Sequence, residues 1–116
     1  MLTDPLAIPD LLARAGDGRL HWQPFREGIE ISRLYDLPDG PAAALLRYAP
    51  GATVPPHRHT GYEHLYILAG SQRDERGHYP AGTLVINPPG STHAVASPEG
   101  CLVLAIWERP VAFLTA

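Results

Sequence analysis

No stretch of this chain runs far before a residue that bends it. Eleven Gly and thirteen Pro sit among 116 residues and follow no period. Long helices cannot survive such punctuation, but short strands joined by tight turns can, because Gly, Pro, Asn and Asp supply the backbone angles that turns require. Hydrophobic residues still reach 45% of the chain, enough for a packed core and too many for a disordered one. Nine strands are predicted, at Gly28–Asp36, Ala42–Ala49, Val54–His59, Tyr62–Ala69, Gln72–Arg76, Thr83–Asn87, His93–Ala96, Cys101–Glu108 and Val111–Leu114. So many strands in so short a chain fit a small jelly-roll β-barrel, which closes its own edges. Residues 4–15 break the pattern. Asp10 as an N-cap, a Leu/Ala run and Gly16 as a stop predict one short peripheral helix of about two turns.

One domain is expected over 1–116, with residues 1–20 as an N-terminal extension. The formal net charge is −3, every cation is Arg, and no basic run exists, so neither nucleic acid nor an anionic membrane is an expected partner. The longest apolar run, Cys101–Trp107, is far too short to span a bilayer. A single Cys, Cys101, excludes an internal disulfide framework, and no signal-peptide pattern opens the chain. A cytoplasmic location is therefore expected.

The chemistry concentrates between Gly51 and Ser97. His57 and His59, two apart on an extended strand, point to one face. After the bend allowed by Thr60-Gly61, Glu63 heads a row with Leu65, Ile67 and Ala69 on one face of the next strand, and His93 follows the turn Pro88-Pro89-Gly90. Three imidazoles and one carboxylate converging inside an apolar barrel form a donor set for one divalent first-row metal. The donor set by itself does not choose among zinc, iron, manganese, nickel and copper.

The frame around these residues resembles the cupin family. Its first motif, G-x5-HxH-x3,4-E-x6-G, reads Gly51, ATVPP, His57-Arg58-His59, TGY, Glu63, HLYILA, Gly70. Its second, G-x5-PxG-x2-H-x3-N, reads Gly82, TLVIN, Pro88-Pro89-Gly90, ST, His93, AVA, Ser97. Only Ser97 departs, at a position that is not a ligand in the family. With 11 Gly, 6 His and 6 Glu in 116 residues, the first motif alone would arise by chance in about one such chain in ten thousand. A finer resemblance over residues 22–108 is to the cupin-like domain of ChrR-type anti-sigma factors, in the strings ALLRYAPG, VPPHRHTGYEHLYILAG and YPAGTLVINPPGSTH. It implies zinc on His57, His59, Glu63 and His93. Those regulators grip their sigma factor with an N-terminal helical zinc domain. With about 20 residues ahead of the strands and no Cys before Cys101, no sigma-factor-binding helical domain is expected here. The same branch includes stand-alone proteins resembling dihydroxyacetophenone dioxygenases, which use iron to cleave a carbon–carbon bond.

Two functions follow from the resemblance. One is a metal-dependent dioxygenase-like protein acting on a small diketone or hydroxyketone. The other is a non-catalytic zinc-binding module that senses a small molecule. In either case Leu65, Ile67, Val85 and Val95 are expected to line the pocket, together with one of Arg47 and Tyr48, whose side chains must point opposite ways. No catalytic residue beyond the ligands is identifiable. His64, on the opposite face from Glu63, is not expected to bind metal, and His78 and Tyr79 are expected in the turn between the motifs, as a solvated hairpin loop ahead of a place at the pocket mouth. His21 receives no role, and Cys101 reads as a small core hydrophobe. Strands apolar on both faces need an outer cover, either the N-terminal segment or a second copy. A homodimer is expected, with Gly28–Asp36 and Val111–Leu114 as the contacts.

Overall fold

The computed structural model describes residues 2–114. Among them are ten strands and one helix. Helix α1 is Leu11–Gly16; the strands are β1 Gln23–Arg26, β2 Ile29–Asp36, β3 Ala42–Tyr48, β4 Ala52–Arg58, β5 Glu63–Asp74, β6 Gly77–Pro80, β7 Leu84–Asn87, β8 Thr92–Ser97, β9 Cys101–Trp107 and β10 Ala112–Phe113. All pairings are antiparallel, in the order β1-β2-β3-β9-β5-β8-β4-β10, with β6 and β7 also bonded to β5. The result is an all-β jelly roll.

Strand β5 joins its two sheets. Its first half pairs β9 and β7; its second half pairs β6 and touches β8 at Arg73–Ala96. The corner is a bulge. Ile67 faces Val103, but Ala69 faces Leu102, so Leu68 is an extra residue and the in/out alternation flips beyond it. Before the bulge, odd residues Glu63, Leu65 and Ile67 are buried; after it, even-numbered Gln72 faces inward, and Ala69 leaves the inner row. A second bulge bends β4 between Val54 and His57, at Pro55-Pro56, and brings both flanking residues inward. Two prolines are tolerated there because a bulge already removes ladder bonds.

Gly70 fixes the corner. Its φ is +71°, and a Cβ there would lie 2.1 Å from the Gly100 carbonyl oxygen. The inner core between the sheets comprises Ile29, Ile31, Ala44, Leu46, Tyr48, Leu65, Ile67, Val95 and Val103, among others. The outer face of β3 is covered by the N-terminal segment: Ala43 and Leu45 are buried there, and Arg47, on the same face, donates to the Ala15 carbonyl at 3.2 Å and stacks on Trp22 at 4.1 Å. Further along this face, two cross-strand rows, Ile86–His64–Ile106 and Leu84–Tyr66–Leu104, stay at the surface.

Several expectations shift. Residues 62–69 and 72–76 form one strand rather than two, because the bulge lets the chain turn the corner without leaving its ladders. Strand β1 was not anticipated; its four residues are all exposed and carry no alternation. Residues 77–80, expected as a turn, form β6. Asp10 adopts a left-handed φ of 54° and makes no side-chain cap, so the helix of six residues begins without one. Cys101 is buried as expected, and burial pushes its thiol up against a small opposing effect of the Ser97 hydroxyl.

Gly70→Ala should therefore destabilise the protein by about 2 kcal/mol or more, from combined backbone strain and overlap. A thermal melt checks this. Cys101 should react with thiol reagents only as fast as the chain unfolds, which labelling kinetics with and without denaturant would measure.

Candidate metal centre

Three imidazoles meet in the barrel because three local arrangements aim them. His57 on β4 lies directly opposite His93 on β8, and His59 follows as β4 ends. All three are buried, their ligand atoms lie within 4.8 Å of one another, and the ring centroids are 4.6, 4.7 and 5.2 Å apart.

Each ring is held by its far nitrogen. His57 Nδ1 is 2.9 Å from the Pro55 carbonyl, His59 Nδ1 is 3.1 Å from the Ser91 carbonyl, and His93 Nδ1 is 2.9 Å from the Asp74 carboxylate. A carbonyl or carboxylate can only accept, so each Nδ1 carries the proton and each Nε2 keeps its lone pair. Those lone pairs point at one another, and His59 Nε2 and His93 Nε2 are buried without a hydrogen-bond partner. Such an array is repulsive unless a cation fills it, and neutral imidazole nitrogens are what a transition metal binds. The three histidines can hold a metal ion.

Glu63 stands at the side of the cluster, Oε1 3.0 Å from His59 Nε2 and 3.9 Å from His93 Nε2. Its neighbours in the ladder hold it: Asn87 Nδ2 donates to Oε1 at 3.0 Å from β7, and Trp107 Nε1 donates to Oε2 at 2.6 Å from β9. Burial opposes its charge, but the nearby His59 ring, the Trp107 Nε1–H and the His93 ring hold the carboxyl below the usual carboxylate range. Burial also lowers the pKa of His57, against the Pro55 carbonyl, which favours the neutral, metal-binding form. Asp74 anchors His93 and is itself bonded by the Tyr79 hydroxyl at 2.9 Å and the Arg76 amide at 2.8 Å.

A cavity of about 50 Å³ adjoins His57, Glu63 and His93. Tyr48, Leu65 and Val95 line it, with Leu46, Val54 and Gln72 beside them and Phe25, Trp107, Val111 and Phe113 toward the rim. Phe113 of β10 lies 5.7 Å from the His57 ring. Three anticipated pocket residues are elsewhere. Arg47 points out of the barrel into its pair with Glu30, because Tyr48 takes the inward position. Ile67 is fully buried in the core, two residues beyond Leu65. Val85 packs at the core margin on β7, behind β5. His64 is on the outer face, clear of the cluster. His21 and His78 are exposed, with His78 3.9 Å from the Glu99 carboxylate. Ser97 is fully buried and donates to the Ser71 carbonyl.

The model of the ChrR cupin-like domain matches residues 14–112. The chain belongs to that family. No curated protein matches it significantly. Among solved structures, the Rhodobacter sphaeroides complex of SigE with the anti-sigma ChrR matches at 28% identity and TM-score 0.72, covering 90% of this chain and 58% of the other. A Ralstonia eutropha protein of unknown function with a cupin-like fold matches at 27% identity and TM-score 0.71, over 76% of this chain and 59% of the other. An acetylacetone dioxygenase from Acinetobacter johnsonii matches in fold, at TM-score 0.79 and 17% identity, over 99% of this chain and 80% of the other. This ChrR-like cupin domain thus spans less than two thirds of the first two proteins' lengths.

In this ChrR-like domain, His57→Ala/His59→Ala should remove bound metal, whereas His64→Ala should retain it, as metal analysis after dialysis would show. Asp74→Asn should weaken metal about 10- to 100-fold by loosening the His93 ring, measured by chelator competition. Lowering the pH toward about 5 should release metal, because the protons compete for the imidazole lone pairs.

Proposed function

We propose that His57, His59, His93 and Glu63 hold one divalent metal, and that the protein is a dioxygenase-like cupin acting on a small diketone or hydroxyketone. The observation that carries this reading is the convergence of three imidazoles, two of them with buried Nε2 atoms lacking a partner, beside a held carboxylate at the edge of a small and mostly apolar cavity. When bound, the metal supplies a Lewis-acid centre able to bind a chelating oxygen ligand, and O₂ as well if it is Fe(II). The protein's residues do the rest. Asp74, Ser91 and Pro55 orient the rings, Trp107 and Asn87 hold Glu63 charged, and Leu46, Leu65, Val54 and Val95 keep bulk water from the ligand. The donor set accommodates zinc, iron, manganese, nickel or copper.

Family membership favours a second reading, a zinc-binding module that binds a small effector without turning it over. Anaerobic purification with metal analysis, then O₂ uptake against diketones and hydroxyaryl ketones, separates the two. Iron with substrate-dependent O₂ uptake is the expected result. Tight zinc, with ligand binding and no uptake by the iron-loaded protein, establishes the module instead.

Two copies are proposed to pair, with the cytoplasm as their setting. The rows Ile86–His64–Ile106 and Leu84–Tyr66–Leu104 support pairing through the outer face, since they are largely apolar and contain neither Asp, Glu nor Arg. The flank at Gly28–Asp36 is less suited than it looked in sequence, because β2 is already bonded on both sides by β1 and β3. Light scattering should give twice 12.6 kDa, and Ile106→Glu should shift the mass toward one copy.

A further inference from the structure

One polar group on the cavity wall has no task in holding the metal. Gln72 is 2% exposed, lines the same cavity as His57, Glu63 and His93, and its Nε2 is buried without a hydrogen-bond partner. The side chain faces inward only because the bulge at Leu68 reverses the alternation of β5. Most of the wall around it cannot satisfy it, since Leu46, Val54, Leu65 and Val95 offer no side-chain acceptor. The other uncharged polar group on the wall, the Tyr48 hydroxyl, lies beside the Gln72 amide; desolvation pushes its pKa up, and the approach of Gln72 opposes that rise. The amide nitrogen carries two hydrogens and makes no hydrogen bond of good geometry, so even beside the Tyr48 hydroxyl it keeps a donor free for an acceptor on a ligand at the neighbouring histidines.

We propose that Gln72 is the specificity residue of this cavity, donating a hydrogen bond from its side-chain amide to an oxygen of a ligand chelated at the metal. This rests on the metal-site reading above and narrows it. The ligand class becomes a compact oxygen chelator with an acceptor oxygen, such as the enolate or carbonyl of a β-dicarbonyl compound. A ligand that binds through nitrogen and brings only a donor gains nothing from Gln72. The amide adds direction: it fixes which way round the chelate sits, with one oxygen toward β5 and the apolar remainder toward Leu46, Leu65 and the aromatic rim. It also accounts for a polar residue in a position where core packing alone would favour an aliphatic one.

The test uses Co(II)-loaded protein and its visible spectrum, with acetylacetone and imidazole as separate probes. Gln72→Met keeps the volume and removes the donor; Gln72→Leu is the second variant. Both are expected to bind one Co(II) as the wild type does and to melt no lower, because an unpartnered buried amide has been replaced by apolar surface. Acetylacetone affinity should fall by about 10-fold or more in both, and imidazole affinity should stay the same. Equal acetylacetone affinity in wild type and variants overturns the assignment of Gln72 while leaving the metal site intact. Parallel losses for acetylacetone and imidazole also overturn it, since they mark a general disturbance of the site. Failure of the wild type to take up Co(II) would sink the underlying metal reading and this proposal with it.

Discussion

The site depends on a single strand belonging to two sheets. β5 carries Glu63 in one sheet and Asp74 in the other, so one continuous backbone sets the carboxylate beside the cluster and the carboxylate that anchors His93. The bulge at Leu68 makes this possible, and Gly70 lets the chain approach Gly100 closely enough to turn. Neighbouring ladders then place the partners without further design: Asn87 and Trp107 are the direct cross-strand neighbours of Glu63, and His57 is the neighbour of His93. Register alone assembles most of the centre.

Electrostatics explain why the cluster suits a cation among its lone pairs. Each ring's proton is committed to an oxygen on its far side, so the inward nitrogens cannot relieve one another by hydrogen bonding. A proton could fill the gap between His59 and Glu63, yet the burial that lowers the His57 pKa works against charging the cluster that way. A metal ion would answer all of these groups at once. The architecture is therefore that of a ligand set prepared in advance, with its orientation set in the surrounding strands.

Much of this was legible in the sequence. The spacing of His57, His59, Glu63 and His93 carried the cluster, and the Gly/Pro punctuation carried the all-β fold, because both are local patterns. What alternation could not reveal lay beyond the bulges. Strict parity puts Gln72 on the outer face and Ile67 toward the pocket; one extra residue in β5 brings Gln72 inside, while Ile67 ends up sealed in the core. Asp74 and Tyr79 were hidden for another reason. Their importance arises from a long strand pairing with a short one in a region that reads as a turn, and nothing in residues 74–80 announces that. Arg47 and Tyr48 were a genuine either/or, resolved by the N-terminal segment, whose Ala15 and Trp22 draw Arg47 outward.

The proline pair in β4 has a further consequence for the rim of the barrel. Neither Pro55 nor Pro56 has an amide hydrogen, and both of their carbonyls are already occupied, by His57 Nδ1 and by the Leu114 amide at 3.1 Å. Short β10 reaches only as far as Arg58 and His57 in the ladder, so this part of β4 would otherwise lie open to a stray strand. An invading strand would meet no donors there, and its own amides would find the acceptors taken. The same two residues that tilt a histidine into the cluster thus make the neighbouring seam a poor template for aggregation.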